Sequence, residues 1–161
     1  MEFCQWMRSK IWSKVYMKKE KEKWWNDPER NMPVKKEIKY FNMKEFDSPD
    51  QLGSGKKNMN MDFVQRLDDA RELAGVPFKI TSGFRSPEYH ADLKNRGYHT
   101  SPSSEHLKGN AADIATPDSM SRYKIIRSLM DVGFTRFGIG ETFIHVDLSK
   151  EKSQEVVWDY Y

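Results

Sequence analysis

The sequence predicts an α+β fold: a small antiparallel sheet with helices packed on it. Three patterns predict it. Phe63, Leu67, Ala70 and Ala74 recur at helical spacing between Asn60, a residue type that caps helix starts, and Gly75, the type that ends them. Phe134 to Ile139 and Phe143 to Leu148 form a hairpin pattern around Gly140-Glu141, and the second arm alternates with the period of two that a strand requires. Ala111 to Ala115 reads as an ordinary buried strand, except that Asp113 stands in its middle.

The chain divides into a basic, aromatic N-terminal extension, residues 1–33, and a domain, residues 34–161. A length of 161 residues suits one core. The net charge of +3 lies wholly in the extension: residues 1–31 hold eight Lys/Arg against five Asp/Glu, and the remaining 130 hold nineteen of each. Trp6, Trp12, Trp24 and Trp25 are mixed with those charges. On a helical wheel Lys10, Lys14 and Lys18 share a side with Phe3, Met7 and Ile11, so the segment has no clean apolar face. It reads as a flexible or partly helical lead-in whose charge suits attachment to an anionic wall or membrane, not a specific nucleic acid. Arg8, Lys10 and Lys14 interrupt any apolar run, so neither a signal peptide nor a transmembrane segment is visible. Cys4 is the single cysteine, which excludes internal disulfides and a cysteine-based metal site.

After Asn31-Met32-Pro33 the composition becomes globular. Phe41 to Asp50 reads as a short helix or docking segment, and Gly53 to Lys57 as a loop. The helix after Asn60 follows, and then a strand from Phe78 to Thr81. Ser86-Pro87 starts a helix that Gly97 stops, which puts Arg85 immediately before a helix N-terminus, a place suited to holding an anion. Tyr98 to Glu105 is a polar loop, and His90 and His99 read as solvated. Ser119 to Val132 is a helix capped by Asp118 or Ser119, with Tyr123, Ile126 and Met130 as its core stripe. Val156 to Tyr161 closes the chain as an edge strand.

Two stretches carry chemistry. The first is Ser104-Glu105-His106-Leu107-Lys108-Gly109-Asn110-Ala111-Ala112-Asp113, and the second is Phe143-Ile144-His145-Val146-Asp147. Together they supply two imidazoles and a carboxylate, a set suited to catalytic zinc, which takes three protein nitrogen or oxygen ligands and leaves one position to water. Asp113 in a buried strand needs a partner, and a cation is the simplest one. Gly109, Ala111 and Ala112 are small enough for close backbone approach beside it. The period of two places Phe143, His145 and Asp147 on one strand face and the aliphatic Ile144, Val146 and Leu148 on the other.

Ser104-x-His106-x-x-Gly109-x-Ala111-x-Asp113, the upstream Ile80-Thr81-Ser82-Gly83-Phe84-Arg85-Ser86-Pro87 and the downstream Phe143-Ile144-His145-Val146-Asp147 together resemble the zinc D-Ala-D-Ala peptidases, in particular their D,D-carboxypeptidase-like branch. The likeness runs from about Tyr40 to the C-terminus. It implies a Zn2+ peptidase that cuts peptidoglycan stem peptides or cross-bridges, with His106, Asp113 and His145 as ligands and Arg85 binding substrate or transition state. The loop before His106 then rims the cleft, with Ser104 as a substrate-binding residue. One position departs from the family. Relatives often carry a catalytic Asp or Glu three residues before the last His, where this chain has Thr142. Glu141, the nearest upstream carboxylate, is a second candidate catalytic residue, but four extended residues span roughly 13 Å, too far to share a metal-bound water unless the turn folds back. Asp147 lies about 6.6 Å along the strand from His145 and on the same face, so it is the favoured catalytic carboxylate, with the orienting of an imidazole as its alternative role.

Three functions are consistent with this reading: an endolysin-like peptidoglycan peptidase, a carboxypeptidase trimming free D-Ala-D-Ala ends, and a wall-binding module that keeps the zinc site without catalysis. The expected form is a monomer, made in the cytoplasm and acting on the bacterial wall.

Overall fold

The structure, a computed structural model, describes residues 37–160. The sequence-predicted extension, residues 1–33, lies outside the described residues. The chain enters on Lys39 and Tyr40, whose backbone amides donate to the buried Asp68 carboxylate at 3.1 and 2.7 Å. A 3-10 turn, Met43–Phe46, carries a capping box in which Asn42 and Glu45 satisfy each other's amides. Helix α1, Ser54–Asn58, stands where the sequence predicts a loop. The glycines around it serve close packing as well as turning: a Cβ on Gly55 would lie 2.4 Å from the Met43 carbonyl oxygen. The Asp47 carboxylate completes the start by accepting the Gly53 and Gly55 amides.

Helix α2, Met61–Ala74, begins at Asn60, whose side chain accepts the Asp62 amide, and ends at Gly75 in the left-handed region. Strand β1, Lys79–Ser82, leads through Arg85 to α3, Pro87–Asn95, capped by the Ser86 side chain. A second 3-10 turn, Glu105–Lys108, ends at left-handed Gly109 and delivers the chain to β2, Ala111–Ala115. Helix α4, Ser119–Asp131, is capped by Asp118. Strands β3, Arg136–Ile139, and β4, Phe143–Asp147, form the expected hairpin, and β5, Val156–Asp159, ends the sheet.

The strands lie in the order β1-β2-β4-β3-β5. Four of them pair antiparallel, whereas β5 runs parallel to β3, which makes the sheet mixed and not wholly antiparallel. The reason is topological: the chain leaving β4 passes β3 to reach the outer edge, so a strand that reverses direction relative to β4 must run with β3. On one face Ala112, Ile114, Phe137, Ile144 and Val146 pack against Phe63, Val64 and Leu67 of α2 and Ile125 and Leu129 of α4. Burying each of the larger side chains contributes roughly 1.5–3 kcal/mol before entropy is counted. Phe63 and Phe134 meet edge to face at 5.5 Å.

The buried stripe of α4 is Ile125, Ser128 and Leu129, and the predicted stripe is corrected at Tyr123 and Met130, which are 64% and 49% exposed. A serine on the buried face misleads a reading by hydropathy. Its hydroxyl donates to the Ile125 carbonyl at 3.0 Å, so it carries no unmet polar group into the core.

Candidate metal centre and active site

The other face of the sheet is built by register. Ser82 pairs with Asp113, Asp113 with His145, His145 with Gly138, and Gly138 with Trp158, so one lateral row crosses all five strands. Paired residues point to the same face. The row therefore presents Asp113 and His145 side by side, and the 3-10 turn brings His106 over them.

The three side chains converge. Asp113 Oδ1 lies 2.8 Å from His145 Nδ1 and 3.3 Å from His106 Nε2, and the two nitrogens are 3.2 Å apart. A tetrahedral ion with ligand bonds of about 2.0–2.1 Å has ligand-to-ligand edges of about 3.3–3.4 Å, so this triangle of buried nitrogen and oxygen donors fits a metal ion. The outward nitrogens are fixed as well. His106 Nδ1 donates to the Gly83 carbonyl at 2.7 Å, which leaves the lone pair of Nε2 facing the triangle. His145 Nε2 faces Asp147 Oδ2 at 3.4 Å, which leaves Nδ1 inward.

Charge within the triangle follows from these contacts. Burial opposes ionisation of Asp113, but the imidazoles of His106 and His145 outweigh it and hold the carboxyl far below the usual range. Burial pushes His106 down despite the nearby Asp113. Burial also opposes charging His145, yet the hydrogen bonds its two ring nitrogens donate to Asp113 and Asp147 when it is charged raise it above an ordinary histidine.

Arg85 stands beside the triangle. Its Nη2 donates to Asp113 Oδ2 at 2.6 Å and its Nε to Ser82 Oγ at 2.8 Å. Backbone contacts lock this loop in place: the Phe84 amide donates to the Phe46 carbonyl and the Arg85 amide to the His106 carbonyl. Gly83 is required here, because a Cβ on it would lie 2.5 Å from Phe46 Cα.

The triangle opens into a cleft of about 920 Å³ lined also by Ser104, Phe143, Trp158 and Tyr160. Ser104, predicted to bind substrate, is on its wall. Glu141 is not: it is exposed in the β3–β4 turn, where its backbone carbonyl accepts from Arg122. Thr142 is exposed in the same turn. Asp147 lines the cleft but meets the nitrogen of His145 that faces away from Asp113. Its Oδ1 accepts Arg136 Nε at 2.7 Å and the Ser149 amide at 3.0 Å. Burial opposes its ionisation, but His145 and Arg136 hold its pKa down at about 2. These contacts suit a carboxylate that orients an imidazole. Asp147→Asn should therefore weaken metal affinity by about 10–100-fold, measured by competition with a chelator, because such outer partners fix ring and tautomer.

Sequence reasoning missed several residues. His90, expected to be solvated, is 9% exposed and lines the cleft. Glu105 is buried beside His106 and bracketed by Lys108 and Lys152. Burial pushes its carboxyl up, but Ser149, Asn110 and Lys108 bring it below its ordinary value. Trp158 of the last strand and Tyr160 just past its end cover His145, with ring centroids 5.6 and 6.2 Å away. The available signal was their spacing of two, which puts both aromatics on one strand face.

No curated protein matches the chain. Its fold is similar to the crystal structure of Serratia marcescens L-Ala D-Glu endopeptidase ChiX, with 19% identity over 58% of this chain and 82% of that one and a TM-score of 0.47. The model of the peptidase M15 family matches residues 39–147, a span that holds the whole ligand triangle, Arg85 and Asp147. The chain belongs to the peptidase M15 family and is a metallopeptidase.

Proposed function

We propose that the protein is a zinc peptidase that hydrolyses amide bonds in peptidoglycan stem peptides or cross-links, acting as a single chain on the bacterial wall. The observation that carries the proposal is the triangle of His106 Nε2, Asp113 Oδ1 and His145 Nδ1 at the foot of an open cleft. These three atoms would hold a zinc ion, which when bound would supply Lewis acidity toward a water molecule and the scissile carbonyl. The chain's own residues do the rest. Gly83 and Asp147 orient the two imidazoles, and Arg85 braces Asp113 while keeping positive charge beside the reacting carbonyl. Ser104, on the rim, offers a hydroxyl to the peptide backbone.

Internal cleavage is favoured over the trimming of a free C-terminus. A bidentate clamp on a carboxylate needs a free guanidinium fork, and Arg85 already donates through Nε and Nη2 to Ser82 and Asp113. Mass analysis of digests of cross-linked and uncross-linked muropeptides tests this. Internal products support the proposal, release of terminal D-Ala supports a D,D-carboxypeptidase, and no turnover by metal-loaded protein supports a wall-binding module.

Arg85→Lys keeps the charge but loses the planar contact to Ser82 and Asp113. Its kcat/KM should fall by about 10–100-fold with metal content retained. Unchanged kinetics would remove Arg85 from the machinery.

A further inference from the structure

On the reading of this cleft as an amide-hydrolysing site, the carbonyl oxygen on which negative charge grows has the positive charge of Arg85 beside it but no neutral donor assigned to it. Position 142 is an exposed threonine. Among the described residues, the other carboxylates of the cleft wall are engaged: Glu45 and Asp47 accept backbone amides, Glu105 is bracketed by two lysines, and Asp147 is bound by Arg136. Arg85 is turned onto Asp113.

Tyr160 stands over this gap. Its amide donates to the Ile139 carbonyl at 3.1 Å, which extends the pairing of β5 past Asp159 and fixes the backbone. Its ring packs on Phe143 at 5.4 Å and on His145 at 6.2 Å, and it is 46% exposed on the cleft wall. Gly138 makes this possible, since a Cβ there would lie 2.4 Å from Tyr160 Cε2 and 2.7 Å from Trp158 Nε1. The ring of Trp158 packs beside that of Tyr160 with centroids 6.3 Å apart, and a phenol hydroxyl can donate as well as accept.

We propose that Tyr160 is a catalytic residue whose hydroxyl donates a hydrogen bond to the oxygen of the scissile carbonyl as it gains negative charge. The bond strengthens as charge develops, so the hydroxyl acts mainly on the chemical step and little on substrate binding.

Tyr160→Phe removes one oxygen and keeps the ring on Phe143 and His145. On a soluble muropeptide its kcat should fall by about 100-fold while KM stays within about twofold. Bound metal should remain at the wild-type level. Unchanged kcat overturns the proposal, and so does loss of metal, which would make Tyr160 only a support for His145. A second readout does not depend on turnover. Calorimetry of metal-loaded protein with a phosphinate pseudodipeptide, a tetrahedral anion, should give about 100-fold weaker binding for Tyr160→Phe. Equal affinity overturns the proposal. Wild-type protein that binds the phosphinate but cleaves no muropeptide refutes the peptidoglycan reading, and the phosphinate comparison still decides Tyr160.

Discussion

Asp113→Ala is expected to abolish metal binding and peptidase activity together. The substitution removes one corner of the triangle and the only carboxylate in it, so the loss should exceed the roughly 10–100-fold expected for an outer partner such as Asp147. It has a second effect. Asp113 Oδ2 is the ion-pair partner of Arg85, and both side chains are largely buried, at 11% and 17% exposed. Removing one member of a buried pair leaves an uncompensated charge, a cost of about 3–5 kcal/mol. His145 is flanked by Asp113 and Asp147, so it also loses the acceptor on Nδ1. Metal analysis of the purified variant and a thermal melt check both effects. Wild-type metal content would remove Asp113 from the ligand set.

The second large effect is expected at Gly109. It lies at φ +68°, where alanine costs about 1–2 kcal/mol. A Cβ there would also lie 2.1 Å from the Asn58 carbonyl oxygen and 2.9 Å from Met59 Cα, both backbone atoms that no rotamer can move. This is the seam that docks the His106 turn onto the start of α2: the Asn60 amide donates to the Gly109 carbonyl, and the Asn60 side chain donates to Asn110 Oδ1. Gly109→Ala should lower stability by more than about 3 kcal/mol, or roughly 10 °C in Tm, and reduce metal occupancy as His106 shifts. Gly75→Ala is the control. It has a similar φ of +62° with nothing within 4 Å, so it should cost only the backbone strain of about 1–2 kcal/mol. Equal losses in the two variants would mean that the seam is not tight.

Most of the site's ligand chemistry was legible because it depends on local pattern. Asp113 in an apolar run and His145 in an alternating strand declare their faces without knowledge of the fold. The helix ends at Asn60, Gly75, Ser86 and Asp118 were legible for the same reason, since a cap involves residues two or three apart. What was not legible is set by distant partners. Arg136 selects which side of His145 Asp147 serves, and it comes from another strand. His90 shares the buried face of its helix with Leu93, and both line the cleft, which its polar type conceals. The small helix at Ser54 depends on Asp47 and the Met43 turn, which a Gly-Ser-Gly run conceals. Strand β5 gave no hint of running parallel, because direction is a property of the connection and not of the strand.

The lateral row through Ser82, Asp113, His145, Gly138 and Trp158 gives the protein a form of quality control. Strand side chains alternate, so a slip of one residue between β2 and β4 would turn Asp113 into the core and offer Ala112 or Ile114 to the cleft. No half-built site lies between these outcomes. A chain paired one residue out of step cannot assemble the triangle, and therefore cannot be rescued by metal. A metal that binds only the correctly paired sheet stabilises that register by mass action and leaves the others to unfold. Metal content then counts the correctly folded molecules, and preparations refolded with and without zinc should differ in yield while their loaded molecules share one specific activity.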